Sequence, residues 1–520
     1  MPSEKELTQW AWQQYAAIKE ARLAGRFEEI PPRIAEIAEA GTDWRPNLFL
    51  GSAIWWAIHH CGKHLLEQQP PDTAGVLRLL GYATQFAAER QIPPPSAASM
   101  LLRLALKVRR QFPSFPEFAA WWDLSQLQPD DYEPFRPEDS RKAMMSLAEH
   151  AWISLAAALL EGTPDPERPW EPPLRDTEAL ERCAAGLEAL ARSHPQYEYP
   201  LYYLGKLRMA LGRPAEAAEA LKQFLPKKPG EFWAWQALGE ALEAAEPARA
   251  MACLAHAAAL PGRAEFRVRV HERLGAMLLR AGRADEARTE YALAIRAYEQ
   301  NWEHRVPGRL IQLAGEAWYR AARDLGHNRA LYAELEPAAQ ELLAGELEAA
   351  AAVVTAVIRS ESGKPFVQYQ RGREEKGSFP AHLHPGSAPK AGDYVLLRGV
   401  RDGQGKLRVQ RSEPCAERPE GAREFTERIK VTAKGYGFAG RDIFVPDYLI
   451  REAGLQDYDK VSGIAVERYD KAKARWGWSA LRAVRVQPPA AEPAAEAAAE
   501  TGAEADGLPA SDFWEAEGKS

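Results

Sequence analysis

The segment KGYGFAGRDIFVP, residues 434–446, places two short aromatic runs on either side of a glycine-containing turn. Side chains alternate between the two faces of a β-strand, so Tyr436 and Phe438 share one face, and Phe444 takes the matching face of the next strand. The glycines between these residues keep that face low and open. Aromatic rings on such a face can stack single-stranded bases, worth about 1–3 kcal/mol per base, while nearby Lys and Arg neutralise phosphates. We therefore predict that this face binds single-stranded nucleic acid.

Short runs of β-forming residues, separated by glycine and other turn residues, surround this segment. They predict strands at 366–370, 393–400, 406–410, 428–432, 436–439, 442–446, 462–469 and 479–486. Several short strands with turns between them indicate a β-sandwich or a β-barrel.

The two aromatic runs resemble the paired ribonucleoprotein-type motifs of cold-shock domains, in which a KGFGF-like strand lies beside a VFVH-like strand. The resemblance covers residues 424–484 and includes the later order GLQDYDKVSGIAVERYDKAKARWGWSALRAV. It implies an OB-type barrel that binds single strands. Two positions depart from the family, because Pro446 replaces the histidine of the second motif and Ile429 stands near the usual tryptophan. We therefore expect two stacking positions to be missing.

Eight residues are the candidate nucleic-acid contacts, as aromatic stacking groups or as phosphate contacts: Lys430, Lys434, Tyr436, Phe438, Arg441, Phe444, Trp476 and Trp478. The last two lie in the basic turn KAKARWGW, where they either restore aromatic surface or plug the end of the barrel. An alternative for the aromatic face is that its rings pack under the preceding domain, which would make the barrel a spacer.

Residues 366–414 have the strand spacing of a second, small OB-like module with AGDYVLLRGV as its central strand. This stretch has no clear aromatic motif. Arg371, Arg373 and Lys376 are its candidate phosphate contacts.

Alanine-rich helical pairs precede the β-rich region. Gly205, Gly239 and Gly275 are 34 and 36 residues apart, each follows a leucine, and each precedes a small residue about twelve positions on. With Trp235 and Pro229, this pattern resembles the tetratricopeptide repeat, in which Gly and Ala let two helices cross closely. The resemblance implies a solenoid with a concave protein-binding face. The alternative is an irregular helical bundle, and residues 302–347 read as a capping region in a looser register.

The first 161 residues also have helical periodicity, with predicted helices at 4–24, 27–40, 47–69, 73–90, 96–111 and 140–161 and proline breaks between them. The expected fold is multidomain α plus β, with an N-terminal all-α region and a tetratricopeptide-type α-solenoid followed by small OB and cold-shock-like β-barrels. The predicted domains are 1–161 (helical), 174–358 (solenoid), 359–423 (OB-like), 424–486 (cold-shock-like) and 487–520 (disordered acidic tail).

The net charge of −7 is unevenly distributed along the 520 residues. Residues 359–486 contain 25 Lys and Arg against 17 Asp and Glu, a net +8, whereas residues 487–520 carry −7 and residues 1–358 carry −8. This asymmetry favours a localised polyanion-binding surface over charge scattered around a barrel. The tail ends in SDFWEAEGKS, whose Phe513 and Trp514 form either a short docking motif or part of a residual tail.

Motifs for catalysis, cofactors and metals are missing from the sequence. We find no phosphate-binding glycine loop, no nucleophile elbow and no HExxH pair. His59, His60, Cys61 and His64 lack further ligands at zinc spacing, as do His382 and His384, so we interpret both clusters as structural. We expect no cofactor, no metal and no enzymatic activity.

The start of the chain has no signal-peptide pattern, and no segment offers some 18 uncharged apolar residues, so we expect a cytoplasmic protein without a membrane partner. The four cysteines are far apart and read as core thiols: Cys61, Cys183, Cys253 and Cys415.

These features predict a non-enzymatic adaptor that binds single-stranded nucleic acid, RNA more than DNA, through the barrel, and an unidentified protein through the repeats. The order of modules resembles uncharacterised bacterial proteins with a tetratricopeptide body and a cold-shock-like end, which implies a setting among stress-response or conflict-type genes. The alternative is a protein-only scaffold in a stress or defence complex, with the barrels used for protein docking. An enzyme with an unrecognised site is a third hypothesis.

Overall fold

The computed structural model describes residues 3–40, 48–86, 95–135, 144–164, 168, 173–301, 306–401, 405–470 and 474–486. The chain divides into two compact units, one holding residues 1–349 together with 398–411, and the other 350–397 together with 412–520. The predicted acidic tail, with Phe513 and Trp514, lies outside the described residues.

The N-terminal region of the first unit consists of helices, as its periodicity predicts. The first helix begins at a capping box, in which the Ser3 backbone N–H donates to the Glu6 carboxylate at 2.7 Å. Pro31 and Pro32 lie in the first turn of the second helix, where a missing N–H costs little, so they begin a helix instead of breaking one. The helices are α1 Glu4–Leu23, α2 Ile30–Glu39, α3 Leu48–Glu67, α4 Thr73–Phe86, α5 Pro95–Val108, α6 Phe115–Trp122 and α7 Leu147–Glu161.

The repeat region forms antiparallel helix pairs at the predicted spacing, with α9 packed on α10, α11 on α12 and α13 on α14. A Cβ atom at Gly205 would lie 2.5 Å from Leu221 Cγ, so only glycine fits where α9 crosses α10 without a shift of the leucine. The solenoid prediction is confirmed. The helices are α8 Thr177–Ser193, α9 Pro200–Ala210, α10 Pro214–Phe224, α11 Phe232–Leu242, α12 Pro247–Ala259, α13 Val268–Arg280 and α14 Ala284–Asn301.

Three more helices, α15 Gly308–Ala314, α16 Ala317–Ala321 and α17 Arg329–Gly345, follow the repeats. Helix α17 packs along α12 and closes over a buried polar network centred on Glu290. One Glu290 oxygen lies 2.7 Å from His271 Nδ1, and the other accepts from Asn328 Nδ2 at 2.8 Å and from the Tyr332 hydroxyl at 2.6 Å. The second helices of the last two pairs are therefore covered by the chain itself.

The upstream β-module is a half-barrel, an open sheet in the order β3-β2-β1-β4-β5. Its strands are β1 Glu348–Arg359, β2 Pro365–Arg371, β3 Glu375–Pro380, β4 Tyr394–Arg401 and β5 Leu407–Pro414. Strand β1 lies where the solenoid was predicted to run on to residue 358, and that prediction is wrong. The β-branched residues Val353, Val354, Val357 and Ile358 favour a strand and outweigh the alanines around them.

The cold-shock-like barrel is confirmed as a closed five-stranded barrel in the order β10-β8-β7-β6-β9. Its elements are β6 Ala422–Val431, β7 Gly437–Ala439, β8 Ile443–Val445, α18 Asp447–Glu452, β9 Lys460–Asp470 and β10 Arg475–Arg485. Phe425, Ile429, Ile443 and Ala480 fill the interior. Strand β10 starts four residues before its predicted start at 479, so both Trp476 and Trp478 belong to a strand and not to a turn.

The half-barrel packs on the outer side of strands β9 and β10. Val353 of the half-barrel is buried against Ile464, Val466 and Leu481 of the barrel. Arg373, in the turn after β2, donates from two nitrogens to the Glu467 carboxylate, each at 2.8 Å. These contacts fix which side of the barrel is covered and which is open.

Three of the four cysteines are core thiols, as predicted: Cys61, Cys183 and Cys253 are buried, and burial raises the pKa of each to about 12. Cys415 is half-exposed, so the prediction is wrong for that residue. Among the described helices, none combines the length and apolar character needed to cross a bilayer.

Candidate nucleic-acid interface

Tyr436, Phe438 and Phe444 form one aromatic cluster on the outer face of the barrel. Their ring centroids lie 6.0 Å (Tyr436 to Phe438), 5.6 Å (Tyr436 to Phe444) and 5.9 Å (Phe438 to Phe444) apart. Phe438 and Phe444 are directly opposite each other on strands β7 and β8. The sequence motif therefore brings its three rings together as predicted, and we call them the aromatic triad.

Two glycines shape the strand that carries the triad. Gly435 has a φ of 84°, a conformation that L side chains rarely adopt, and it turns the chain from β6 into β7. At Gly437, a Cβ atom would lie 2.9 Å from the Lys430 carbonyl oxygen of the paired strand. Gly437 lies between Tyr436 and Phe438 and faces the barrel interior beside Ile429, so its missing side chain lets β7 pack closely on β6.

The triad lies on the part of the barrel that the half-barrel leaves open. All three rings are half-buried, and the apolar contact with the half-barrel is made by the outer residues of β9 and β10. The rings therefore do not pack under the half-barrel. Their half-buried state leaves part of each ring accessible to solvent.

The register of strand β6 corrects one detail of the predicted face. Ile429 is 1% exposed and fills the barrel interior, whereas Lys430 pairs with Phe438 and points outward beside it. The position near which cold-shock domains carry a ring is therefore taken by a lysine. Pro446 ends strand β8 and is the N-cap residue of α18, so the position of the family histidine is used to begin a helix.

Cations without carboxylate partners surround the triad. Within the described part of the chain, the outward side chains of three predicted contacts, Lys430, Lys434 and Arg441, make no ion pair, and neither do Arg428 and Lys460. Arginines elsewhere on the barrel do pair, as Arg423 with Asp442 at 3.0 Å, Arg451 with Asp447 at 2.8 Å and Arg485 with Asp459. Uncompensated positive charge thus lies on the aromatic face.

Sequence reasoning missed Arg428 and Lys460. Arg428 lies two residues before Lys430 on β6 and therefore on the same face, and its register partner on β9 is Lys460. Arg428 could have been found from the sequence, because it lies two residues before Lys430 on the same strand. Lys460 could not, because its position depends on the pairing of β6 with β9.

The two tryptophans lie apart from the triad. Trp478 pairs with Ile443, an interior residue, and packs against the barrel core, with the Arg423 guanidinium 5.7 Å from its ring centroid. Trp476 lies further along the same side of β10, 5.6 Å from the Tyr469 ring and 5.6 Å from the Arg373 guanidinium. Trp478 therefore closes the end of the barrel, and Trp476 belongs to the contact with the half-barrel.

The predicted phosphate contacts of the half-barrel are largely neutralised. Arg371 pairs with Glu375 at 3.4 Å, and Arg373 pairs with Glu467. Lys376 is exposed. This module therefore offers less free positive charge than its composition suggests.

The histidine clusters have structural surroundings. His59 and His60 contact each other and Trp56, and burial lowers the pKa of His59 to about 4. His384 is buried with Nδ1 2.8 Å from Ser412 Oγ. Among the described residues, no group of three or more His, Cys, Asp or Glu side chains could hold a metal ion.

A second candidate surface lies on the first helices of the repeat pairs. Trp233 on α11 has ring contacts at 4.8 Å to Tyr202 and 6.5 Å to Tyr199, on or beside α9. The ammonium groups of Lys206 and Lys228 lie 5.6 Å from the Tyr202 ring and 5.3 Å from the Tyr199 ring. We call these five residues the aromatic ledge. They are half-buried or exposed, and Lys228 pairs with Glu198 at 2.7 Å, so the ledge is an accessible apolar surface with one unpaired lysine, Lys206, among the described residues.

The β-barrel has a family match that agrees with this geometry. Residues 423–483 match the S1/CSD-like domain 2 of the TOTE conflict systems. The matched residues include the whole aromatic triad. A second match covers residues 198–339, within the helical repeats, and is described as a domain of unknown function, DUF7017.

Solved structures with similar helical repeats include several tetratricopeptide-repeat (TPR) proteins. MamA from Desulfovibrio magneticus RS-1 is 14% identical with a TM-score of 0.29, covering 39% of this chain and 97% of that one. YrrB, described as a TPR protein with an unusual peptide-binding site, is 14% identical with a TM-score of 0.29, covering 45% and 97%. TTC0263, a thermophilic TPR protein of Thermus thermophilus, is 18% identical with a TM-score of 0.22, covering 50% and 100%. No curated protein matches the chain.

Proposed function

We propose that this chain is a cytoplasmic, non-enzymatic adaptor. Its S1/CSD-like barrel binds single-stranded nucleic acid, and its helical repeats bind a protein partner. Both kinds of module typically bind ligands and do not catalyse reactions, and the conflict-system family of the barrel suggests a defence setting.

The observation that carries the proposal is the coincidence of rings and unpaired cations on one face. A half-buried ring keeps its position while offering its free surface to a base, and stacking contributes about 1–3 kcal/mol per base. A phosphate that meets an unpaired lysine or arginine breaks no existing ion pair. Lys430 lies beside Phe438, so its ammonium group can neutralise the phosphate of a base that stacks on that ring.

The preference for RNA over DNA is the finer part of the proposal. Stacking and phosphate neutralisation, the two contacts that this face offers, are common to both polymers, and a protein distinguishes them by contacts to the 2′-hydroxyl. The RNA preference therefore stays a prediction that only a direct comparison of matched strands can decide.

The aromatic ledge is the proposed site of the protein partner. It combines three adjacent rings with two lysines on the early pairs of the array, whereas helix α17 covers α12 in the later pairs. Aromatic residues are enriched among those that dominate protein interfaces.

Fluorescence titration of the full chain tests the nucleic-acid proposal. Single-stranded RNA, single-stranded DNA and duplex of the same sequence are titrated at two salt concentrations. We expect single strands to bind more tightly than duplex, with an affinity that falls as salt rises because bound phosphates release counterions. Equal affinity for duplex and single strands would remove the triad from the mechanism.

The protein-only scaffold is the competing outcome of the same titration. It requires that no oligonucleotide binds at physiological salt, while a partner protein co-purifies with the chain and is lost when the aromatic ledge is changed.

A further inference from the structure

The acidic tail, residues 487–520, directly follows a barrel residue that lies beside the unpaired cations of the aromatic face. That residue is Val486, whose backbone N–H donates to the Lys460 carbonyl oxygen at 2.8 Å. Lys460 is in turn the register partner of Arg428 on β6. The tail therefore follows a residue that lies about 10 Å, two strand spacings, from Arg428.

The route from Val486 to the aromatic triad passes these cations. Arg428 precedes Lys430 by two residues, about 7 Å along β6, and Lys430 pairs with Phe438 of the triad. The whole route from Val486 to Phe438 is thus about 20 Å long. The cations at the hairpin end of β10, such as Arg475, lie about 35 Å from Val486 along the strand, so those of the aromatic face are nearer.

The tail has the two kinds of group that this face would recognise in a nucleic acid. Residues 487–520 carry a net charge of −7, whereas residues 359–486 carry +8. The tail also contains two adjacent rings, Phe513 and Trp514, within the acidic segment SDFWEAEGKS. Carboxylates can pair with the free lysines and arginines, and rings can pack on the rings of the triad. The tail therefore complements the face in both charge and chemistry.

We infer that the acidic tail occupies the aromatic face of its own barrel and competes there with single-stranded nucleic acid. Phe513 is 27 positions after Val486, a stretch that can span at most about 90 Å, so the chain is long enough. A covalently joined segment competes at an effective concentration on the order of millimolar, so weak contacts are sufficient. The competition rests on the proposed nucleic-acid function, whereas the contact itself does not.

Zero-length carbodiimide crosslinking of the full chain tests the contact without any nucleic acid, because the reagent joins a carboxylate to a lysine amine only where the two touch. We expect mass spectrometry of the monomer to find crosslinks from residues 512–517 to Lys430 and Lys434. An added oligouridylate of about 12 nucleotides, within the site sizes of OB folds, should abolish them. The controls are exposed lysines of the half-barrel: Lys364, Lys376 and Lys390.

Two tail variants of the full chain test the competition by titration with the same oligouridylate. Phe513→Ala/Trp514→Ala removes the rings without changing the charge, and should raise the affinity about threefold or more. The charge variant should raise the affinity about tenfold at low salt, as expected if the tail covers about nine faces in ten, and less at high salt, where the attraction is screened. Its substitutions are Glu492→Gln, Glu496→Gln, Glu500→Gln and Glu504→Gln.

The matched control for the charge variant neutralises four exposed glutamates of the first unit: Glu39→Gln, Glu299→Gln, Glu341→Gln and Glu346→Gln. An equal gain in affinity from this control would reduce the effect to net charge and overturn the competition, as would unchanged affinity in both tail variants. Crosslinks as frequent at the half-barrel lysines, or confined to a dimer, would overturn the contact. If no form of the protein binds the oligouridylate, the proposed function fails, while the crosslinks still decide the contact.

Discussion

Lys430 occupies the outward position on strand β6, next to Ile429, near which cold-shock domains carry a tryptophan. It stands beside Phe438 on the neighbouring strand and has no carboxylate partner among the described residues. A cation next to a stacking platform holds the phosphate of the base that the platform binds. A lysine at this position provides a phosphate contact where a ring would provide base stacking. We therefore expect the affinity for single strands to fall strongly as the salt concentration rises.

Lys430→Gln should weaken single-strand binding a few-fold and lower the slope of log affinity against log salt by about 0.7, the contribution of one phosphate contact. Titration of the full chain at several salt concentrations measures both quantities. Lys390→Gln, which removes an exposed lysine of the half-barrel, is the control and should leave the slope unchanged. An unaltered slope in the Lys430 variant would exclude this lysine from the interface.

At the level of residues, the sequence was enough to identify the triad, because a period of two and a turn determine which rings share a face. It was not enough to place Ile429 and Lys430, because a shift of one residue in a strand exchanges the inner and outer faces. The roles of Trp476 and Trp478 also depended on strand pairing. Whether a given cation has an ion-pair partner depends on where the carboxylates lie in three dimensions. The local sequence pattern does not show this.

Among the elements, the helix pairs depend on close crossings at glycine. Gly205→Ala should lower the free energy of unfolding by about 1–3 kcal/mol, because the new methyl group must displace Leu221. Thermal or denaturant unfolding measures the change.

The matched control for that variant is Gly81→Ala, in the interior of α4, where a Cβ atom meets nothing within 4 Å of the described structure. Alanine is the better helix former, so this variant should gain up to about 1 kcal/mol. Similar effects of the two substitutions would show that the crossing at Gly205 does not require glycine.

The contact between the half-barrel and the barrel should depend on pH. The hydrogen bonds from Arg373 hold the pKa of Glu467 below its usual range. A carboxylate with a lowered pKa stabilises the folded state above its ordinary pKa, and this contribution is lost as the pH falls through the lowered value. Glu467→Gln should therefore destabilise the β-rich unit at neutral pH.

Denaturant unfolding at neutral and at acidic pH measures this difference between Glu467→Gln and the unchanged protein. The two proteins should converge in stability at acidic pH. A stability difference that stays constant across the acidic range would mean that the ion pair is not its cause.

The elements were largely predictable where one periodicity dominates. Helix pairs followed from glycine spacing, and the barrel strands from alternation and turns. Strand β1 was not predicted, because its alanines continue the composition of the solenoid. Its pairing with β2 and β4 joins segments that are far apart in the sequence. For the same reason, the sequence did not indicate that the half-barrel covers β9 and β10.

In the whole molecule, the two binding surfaces belong to different units, so their functions should separate. Trp233→Ala removes the central ring of the aromatic ledge and should abolish recovery of the protein partner while leaving oligonucleotide affinity unchanged. Co-purification and titration of the same protein preparation measure the two properties. The unfolding transition of the variant checks that the repeats still fold. Loss of both activities in a folded variant would contradict the separation.

The charge distribution is consistent with a nucleic-acid-binding surface on the barrel that is separate from the repeats. The overall charge is negative, yet the stretch 359–486 is positive, and many of its arginines are already paired. In the described part of the barrel itself, the cations that remain unpaired lie around the triad and at the end of the β9–β10 hairpin. The net charge of the molecule therefore says little about its ligand, whereas the positions of the unpaired cations indicate a polyanion.

The most direct test of the central claim is the affinity of the full chain for a single-stranded oligonucleotide when Tyr436, Phe438 and Phe444 are all changed to alanine. Tyr448→Ala, which removes an exposed ring from α18 of the same barrel, is the control. With about 1–3 kcal/mol per stacked base, the triple variant should bind at least about tenfold more weakly, while its circular dichroism and the affinity of the control stay unchanged. Undiminished binding by a folded triple variant would contradict the account.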